Sequence, residues 1–312
     1  MSFPDPSLVA PTLASYQMQY NGLTLGPGTG YSFQKVEGLD LANLRSGDTA
    51  RARDHGEAIG LDLMSGRDVT LTMLVQTDGT SMQHALTAFA KAFAPAGVTE
   101  APLYVQLPNL PLLAMECRPR QRTAPLDVEG WTVAQVASVA VQLHATDPRL
   151  YAAPSTALVA SVPTPGGGLT FPVTFPASFG GGSSTANLFP NNTGNIEMRP
   201  VLVITGPCTN PRVINSATGW ALTFTNPAQT GYTLNAGDTL TIDLDARTIL
   251  YLVNGTTVAS SVRNWLVAGS IWPNATSVPG IMPGSQTIQF STSDSGFVAG
   301  TLALKYAPAY LI

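Results

Sequence analysis

Asp243 and Asp245 stand two residues apart in a segment, Thr239–Asp245, whose alternating apolar residues predict a strand. A period of two puts both carboxylates on one face about 6–7 Å apart. That overlaps the separation at which an inverting glycosidase leaves room for its attacking water. The neighbouring Ala246-Arg247-Thr248 gives the pair a different occupation. A strand that reverses there needs polar residues at its turn, and Arg247 can neutralise an adjacent carboxylate, so a structural role is favoured. His55, His84 and His144 fall in a loop, on a helix and at a strand end, without metal-ligand spacing. Gly26-Pro27-Gly28-Thr29-Gly30 opens no helix and so does not cradle a phosphate. Asp238, Asp243, Asp245 and Asp294 lack the ladder of a calcium loop. The nucleophile-elbow, Walker, dinucleotide and zinc-protease motifs do not occur, so neither a catalytic residue nor a cofactor is expected.

Aromatic side chains are the better lead to a ligand. Trp220, Tyr232, Trp265 and Trp272 share the second half with Asn264 and Asn274, and a ring with a neighbouring amide can hold a sugar. Most tryptophans of such a domain belong to its core. Trp272, Asn274 and Tyr232 remain the candidate glycan-facing residues, with Trp272 expected in a loop.

The elements that would position these residues are mostly strands. Tyr16–Tyr20 and Leu23–Leu25 flank Asn21-Gly22, a hairpin signal, and Asp68–Gln76 alternates apolar and polar residues. Leu103–Leu107, Leu112–Arg118 and Trp131–His144 are further strands, rich in aliphatic residues. Ser81 caps one helix whose stripe is Met82, Ala85, Leu86, Phe89, Ala90 and Phe93, stopped by Pro95 and Gly97. Between strands, Leu39–Gly60 is aperiodic and holds Arg45, Asp48, Arg51, Arg53, Asp54, His55 and Glu57 among glycines, as an exposed arm does. In the second half, strands are expected at Val201–Thr205, Arg212–Asn215, Trp220–Thr225, Thr239–Asp245, Thr248–Val253, Gln286–Ser291 and Gly300–Tyr306. Turn signals separate them at the spacing of an antiparallel sandwich.

A seam divides the two halves at Thr146-Asp147-Pro148-Arg149-Leu150-Tyr151. The 150 residues up to Leu150 carry 10 Lys/Arg and 14 Asp/Glu, whereas the 162 after it carry 5 of each. Exposed surface is normally charged, so the second half is expected to face partners rather than bulk water. Residues 152–198, with six prolines and the glycine runs 166–168 and 180–182, are expected to be a connector hugging the next domain. Two cysteines, Cys117 and Cys208, make neither a disulfide scaffold nor a zinc site. No export signal or membrane span is expected, and a net charge of −4 disfavours nucleic acid.

With both halves in view, the sequence resembles the distal tail proteins of long-tailed, siphovirus-type bacteriophages, which form the ring at the end of the tail tube. Gly38-Leu39-Asp40, the polar arm, Gly56-Glu57-Ala58-Ile59-Gly60 and Gly66-Arg67-Asp68-Val69-Thr70-Leu71 are similar to the family's arm and strand pattern, and the single helix follows in order. The seam motif is similar to the end of the family's ring domain. Gly206, Thr209-Asn210-Pro211, Ala236-Gly237-Asp238-Thr239, Asn254-Gly255, Trp265 and Met282-Pro283-Gly284-Ser285 follow its order of turns. The resemblance implies a mainly β chain: a ring-forming β-barrel or sandwich with one α-helix over 1–151, a connector over 152–198, and an antiparallel galectin-like β-sandwich over 199–312. It also implies a virion tail-tip protein made in the bacterial cytoplasm, a homohexameric ring between tail tube protein and tail hub, and a host cell-surface glycan as a further partner. Arg45, Arg51, Arg53 and Asp54 of the arm are the candidate ring contacts, since a mixed-charge arm fixes register on its neighbour. The rival reading is a stand-alone carbohydrate-binding or adhesive sandwich, which leaves the first domain without a role.

Overall fold

The computed structural model describes residues 9–40, 42–77, 81–95, 97–125, 127, 129–162, 185–224, 232–254, 257–262, 280–293 and 300–312. They form two compact units. The first runs to Pro154 and takes back Ala309–Ile312; the second is Ser155–Pro308. The chain is mainly β, with one α-helix among the described residues.

The first unit opens with β1 (Met18–Tyr20), β2 (Leu23–Leu25) and β3 (Tyr31–Glu37). Asn21 and Gly22 both take positive φ, 45° and 80°, the backbone that a two-residue hairpin turn demands. Four short strands follow in the arm: β4 (Leu44–Arg45), β5 (Thr49–Ala50), β6 (Glu57–Ala58) and β7 (Leu63–Met64). Then come β8 (Arg67–Gln76), helix α1 (Met82–Ala92), β9 (Ala101–Val105), β10 (Leu113–Thr123), β11 (Val136–Ala145) and β12 (Leu150–Ala152). The main sheet runs β2-β1-β9-β10-β11-β8-β3 and is not a closed barrel.

Val69, Leu71, Met73 and Val75 of β8 face Val139, Val141 and Leu143 of β11 in one core. Helix α1 covers that core with Met82, Leu86, Phe89 and Ala92, and Phe93 stacks on Tyr20 at 5.1 Å. Ser81 caps the helix as the sequence predicts, its Oγ accepting from the His84 N–H at 3.2 Å. The strand expected from Trp131 begins only at Val136. Gly130–Ala134 instead winds into a π-helical turn, because Asp127 accepts from the Gly130 and Trp131 amides at 3.0 and 2.9 Å.

The seam motif is locally welded. Asp147 accepts from the Arg149 amide at 3.1 Å and from the Tyr151 hydroxyl at 2.5 Å, which lets β12 pair with β10. On its other edge β12 pairs with Ala309–Tyr310, so the chain's last strand belongs to the first unit.

The second unit contains β13 (Thr156–Ser161), β14 (Thr185–Leu188), β15 (Asn191–Asn192), β16 (Val201–Thr205), β17 (Cys208–Thr209), β18 (Arg212–Asn215) and β19 (Ala221–Thr223). It continues with β20 (Thr233–Leu234), β21 (Thr239–Asp243), β22 (Thr248–Val253), β23 (Thr257–Ser261), β24 (Gly284–Ser285), β25 (Ile288–Ser291) and β26 (Thr301–Tyr306). A six-stranded antiparallel sheet, β13-β26-β16-β21-β22-β23, and a four-stranded one, β14-β25-β18-β19, bury alternate residues such as Leu202, Ile204, Leu240, Ile242, Val213 and Phe290. The segment expected as a connector thus supplies three strands: β13 pairs with β26, β14 with β25 and β15 with β24. Its glycine runs lie outside the described residues.

Candidate assembly interface

Between Gly38 and Gly66 the chain leaves the sheet as a hairpin. Its base ladder pairs Leu44 with Met64 and Arg45 with Leu63; its outer ladder pairs Thr49 with Ala58 and Ala50 with Glu57. Gly47 and Gly60 touch where the two ladders meet, so close that a Cβ on Gly60 would collide with the Gly47 carbonyl. Asp48 locks this crossing by accepting from the Gly60 amide at 2.7 Å; that bond and the Ser46 side chain hold its carboxyl below the ordinary value. Gly38 is equally constrained: its φ is +83°, and a Cβ there would collide with the Asp68 carbonyl.

Arg67 anchors the root. It is 2% exposed, and its Nη1 donates to the Leu39 carbonyl at 2.6 Å, tying the two ends of the arm together. Burial draws this guanidinium below its ordinary pKa, while the nearby Asp40 and Asp147 carboxylates act the other way. Beyond the root, every residue from Asn43 to Ile59 is exposed. By strand rise the arm reaches roughly 25 Å.

The candidate ring contacts Arg45, Arg51, Arg53 and Asp54 all lie on this hairpin, exposed, with Arg51 3.6 Å from Asp54 near the tip. An exposed pair of that kind is worth about 0–1 kcal/mol, so it orders the tip weakly. Sequence reasoning missed the arm's aliphatic residues. Ile59, Leu61 and Leu63 are 97%, 62% and 47% exposed, and Leu44 is 52% exposed. Their signal was present, because Ile59, Leu61 and Leu63 alternate with a period of two.

The other candidates do not come together. Asp243 ends β21 and accepts from the amides of Asp245 and Ala246 at 2.9 and 2.8 Å. Asp245 lies in the following turn, not on the strand as expected, and binds Arg199 Nη1 at 3.1 Å. Arg247 is not that partner; it takes a left-handed φ of 56° in the turn. His55 sits at the arm tip, His84 is exposed on α1, and His144 Nδ1 lies 2.6 Å from Asp68 across β8 and β11. Among the described residues no group of three metal-ligating side chains converges.

Tyr232, read as glycan-facing, is 3% exposed and packs edge to face on Tyr251 at 6.3 Å, so it is a core residue of the sandwich. Trp220 is core as well, its indole N–H donating to the Gly280 carbonyl at 2.9 Å. Trp265, Trp272, Asn264 and Asn274 lie outside the described residues. The outward face of the six-stranded sheet carries Val201, Val203, Thr205, Thr239, Thr241 and Ala303, with Asp243 and Lys305 at one end. No helix among the described residues is long and apolar enough to cross a membrane.

No family model and no curated protein matches the sequence. Solved structures do. The Dit protein of phage SPP1, described as a paradigm of the hub adsorption apparatus in phages that infect Gram-positive bacteria, is similar over 94% of this chain and 98% of its own, with a TM-score of 0.56 and 14% identity. A chain of the phage P2 baseplate in its activated conformation with Ca matches over 93% of this chain and 97% of its own, with a TM-score of 0.47 and 12% identity. The SPP1 likeness spans both units and agrees with the family resemblance read from the arm, the single helix and the seam. The chain has the fold of the phage distal tail proteins.

Proposed function

We propose that this protein is a structural component of a phage tail tip, a distal tail protein whose first unit closes into a hexameric ring joining the tail tube to the tail hub. The galectin-like sandwich is then left for contact with a partner or the host surface. The observation that carries this reading is the arm. A two-stranded hairpin exposed on every side is marginal by itself in water, and long projecting segments of this kind are held by a partner. Burying Ile59 against a neighbour would stabilise an assembly by about 1.5–3 kcal/mol, and the partly covered Leu61, Leu63 and Leu44 by a lesser amount each. Mixed charge at Arg45, Arg51, Arg53 and Asp54 would add register rather than affinity.

The test is mass in solution with and without the arm. Light scattering of the intact chain is expected to give a particle near six times 32.6 kDa. Replacing Asn43–Met64 by a short glycine turn is expected to give a folded monomer. A hexamer that survives the replacement would show that the arm does not hold the ring.

A further inference from the structure

The first unit has a second unpartnered feature, at the other end of β8 from the arm root. A cleft with a volume of about 920 Å³ opens beside Gln76 and Thr77, where β8 ends, beneath α1 and the π-helical turn. Its apolar lining comes from Ala85 and Ala88 of the helix and from Val133 and Val136, and Val133 is 82% exposed at the rim. His84 and Tyr31 are the ionisable residues in its lining, which holds no Asp, Glu, Lys or Arg among the described residues. A cleft of that volume has room for more than a single side chain.

We propose that this cleft receives the Ala58–Leu61 limb of the arm from a second copy of the chain, an inference that rests on the ring reading and adds the place of contact. Three observations lead to it. First, the limb Ala58-Ile59-Gly60-Leu61, between Glu57 and Asp62, carries no charge and the cleft lining holds no Asp, Glu, Lys or Arg, while the charged tip residues Arg51, Arg53 and Asp54 lie beyond the limb. Second, among the described residues Ile59 is 97% and Leu61 62% exposed. Third, the arm leaves from Arg67 and the cleft opens at Gln76, ten residues along one strand, a separation of roughly 30 Å. An arm rooted at one end and a cleft at the other make a head-to-tail contact. Each copy gives one arm and receives one, the arrangement that closes a ring when the rotation allows it. Thr77, whose buried hydroxyl has no partner among the described atoms, and Gln135 stand ready to bond the backbone of an extended limb.

A cysteine pair tests this directly. Ile59→Cys and Ala88→Cys are introduced together and treated with a short bis-maleimide; Cys117 and Cys208 are buried and stay silent. The pair is expected to give a ladder of covalent multimers, at least about tenfold more than either single variant. If the unmodified chain scatters as a hexamer but the pair links no better than the singles, the cleft assignment is overturned and the ring stands. A monomeric unmodified chain overturns both. Linking only after tail-tube subunits are added overturns the second copy as the occupant. Ala88→Trp, which fills the cleft, is expected to give a monomer with unchanged circular dichroism, and continued assembly of that variant would count against the proposal.

Discussion

Asp238 is the side chain on which the sandwich's turns converge. It is 2% exposed and accepts from the Tyr251 hydroxyl at 2.7 Å, from the Asn235 amide at 3.1 Å and from the Asn254 amide at 3.1 Å. Burial by itself raises its pKa, but these donors outweigh it and hold the carboxyl below the ordinary 3.8. Asp238→Ala strands these donors and the Asn235 side-chain amide, and is expected to cost about 2–3 kcal/mol, read as a melting transition roughly 4–10 °C lower. Because the folded pKa is depressed, the carboxylate's contribution is complete above the ordinary value and is lost as pH falls through the lower folded one. The wild type should therefore lose urea resistance between roughly pH 5 and pH 2 more steeply than Asp238→Ala, and equal slopes would remove the charge from this account. The Ala236-Gly237-Asp238 turn was legible because its residues are local. The partner of Asp245 was not, since Arg199 comes from a distant part of the chain and no spacing rule points to it.

At the scale of elements, the arm makes its own prediction. Arg45, Arg51 and Arg53 are exposed on a hairpin held by two short ladders and the Asp48–Gly60 bond. In dilute, unassembled protein, trypsin is expected to cut there first; in concentrated, assembled protein those sites are expected to be protected at least about tenfold, as mass spectrometry of the fragments will show. Equal cutting in both would mean that the arm has no partner. The sequence exposed the arm as charged and aperiodic but hid its hairpin, because two-residue ladders leave too short a pattern to register. The helix was legible to its cap because the Ser81 signal and the apolar stripe are both local. Ala309–Tyr310 was not: a two-residue strand that returns across the whole chain to β12 carries no local sign of its destination.

Over the whole molecule, the charge asymmetry follows from the architecture. The first unit carries the arm and most of the ionic side chains, whereas the six-stranded sheet turns a surface of valine, threonine and alanine outward. Asp147 gathers Arg149 and Tyr151 at the seam motif, shortly before the chain passes from the first unit to the second after Pro154; the contribution of 152–198 to the sandwich was not legible, because proline and glycine masked the strands at Thr156–Ser161 and Thr185–Leu188. Self-association through the first unit is the claim on which the functional reading stands. Electron micrographs of the purified chain test it most directly: rings with six-fold symmetry are the expected result, and a field of single 32.6 kDa particles at high protein concentration would contradict it.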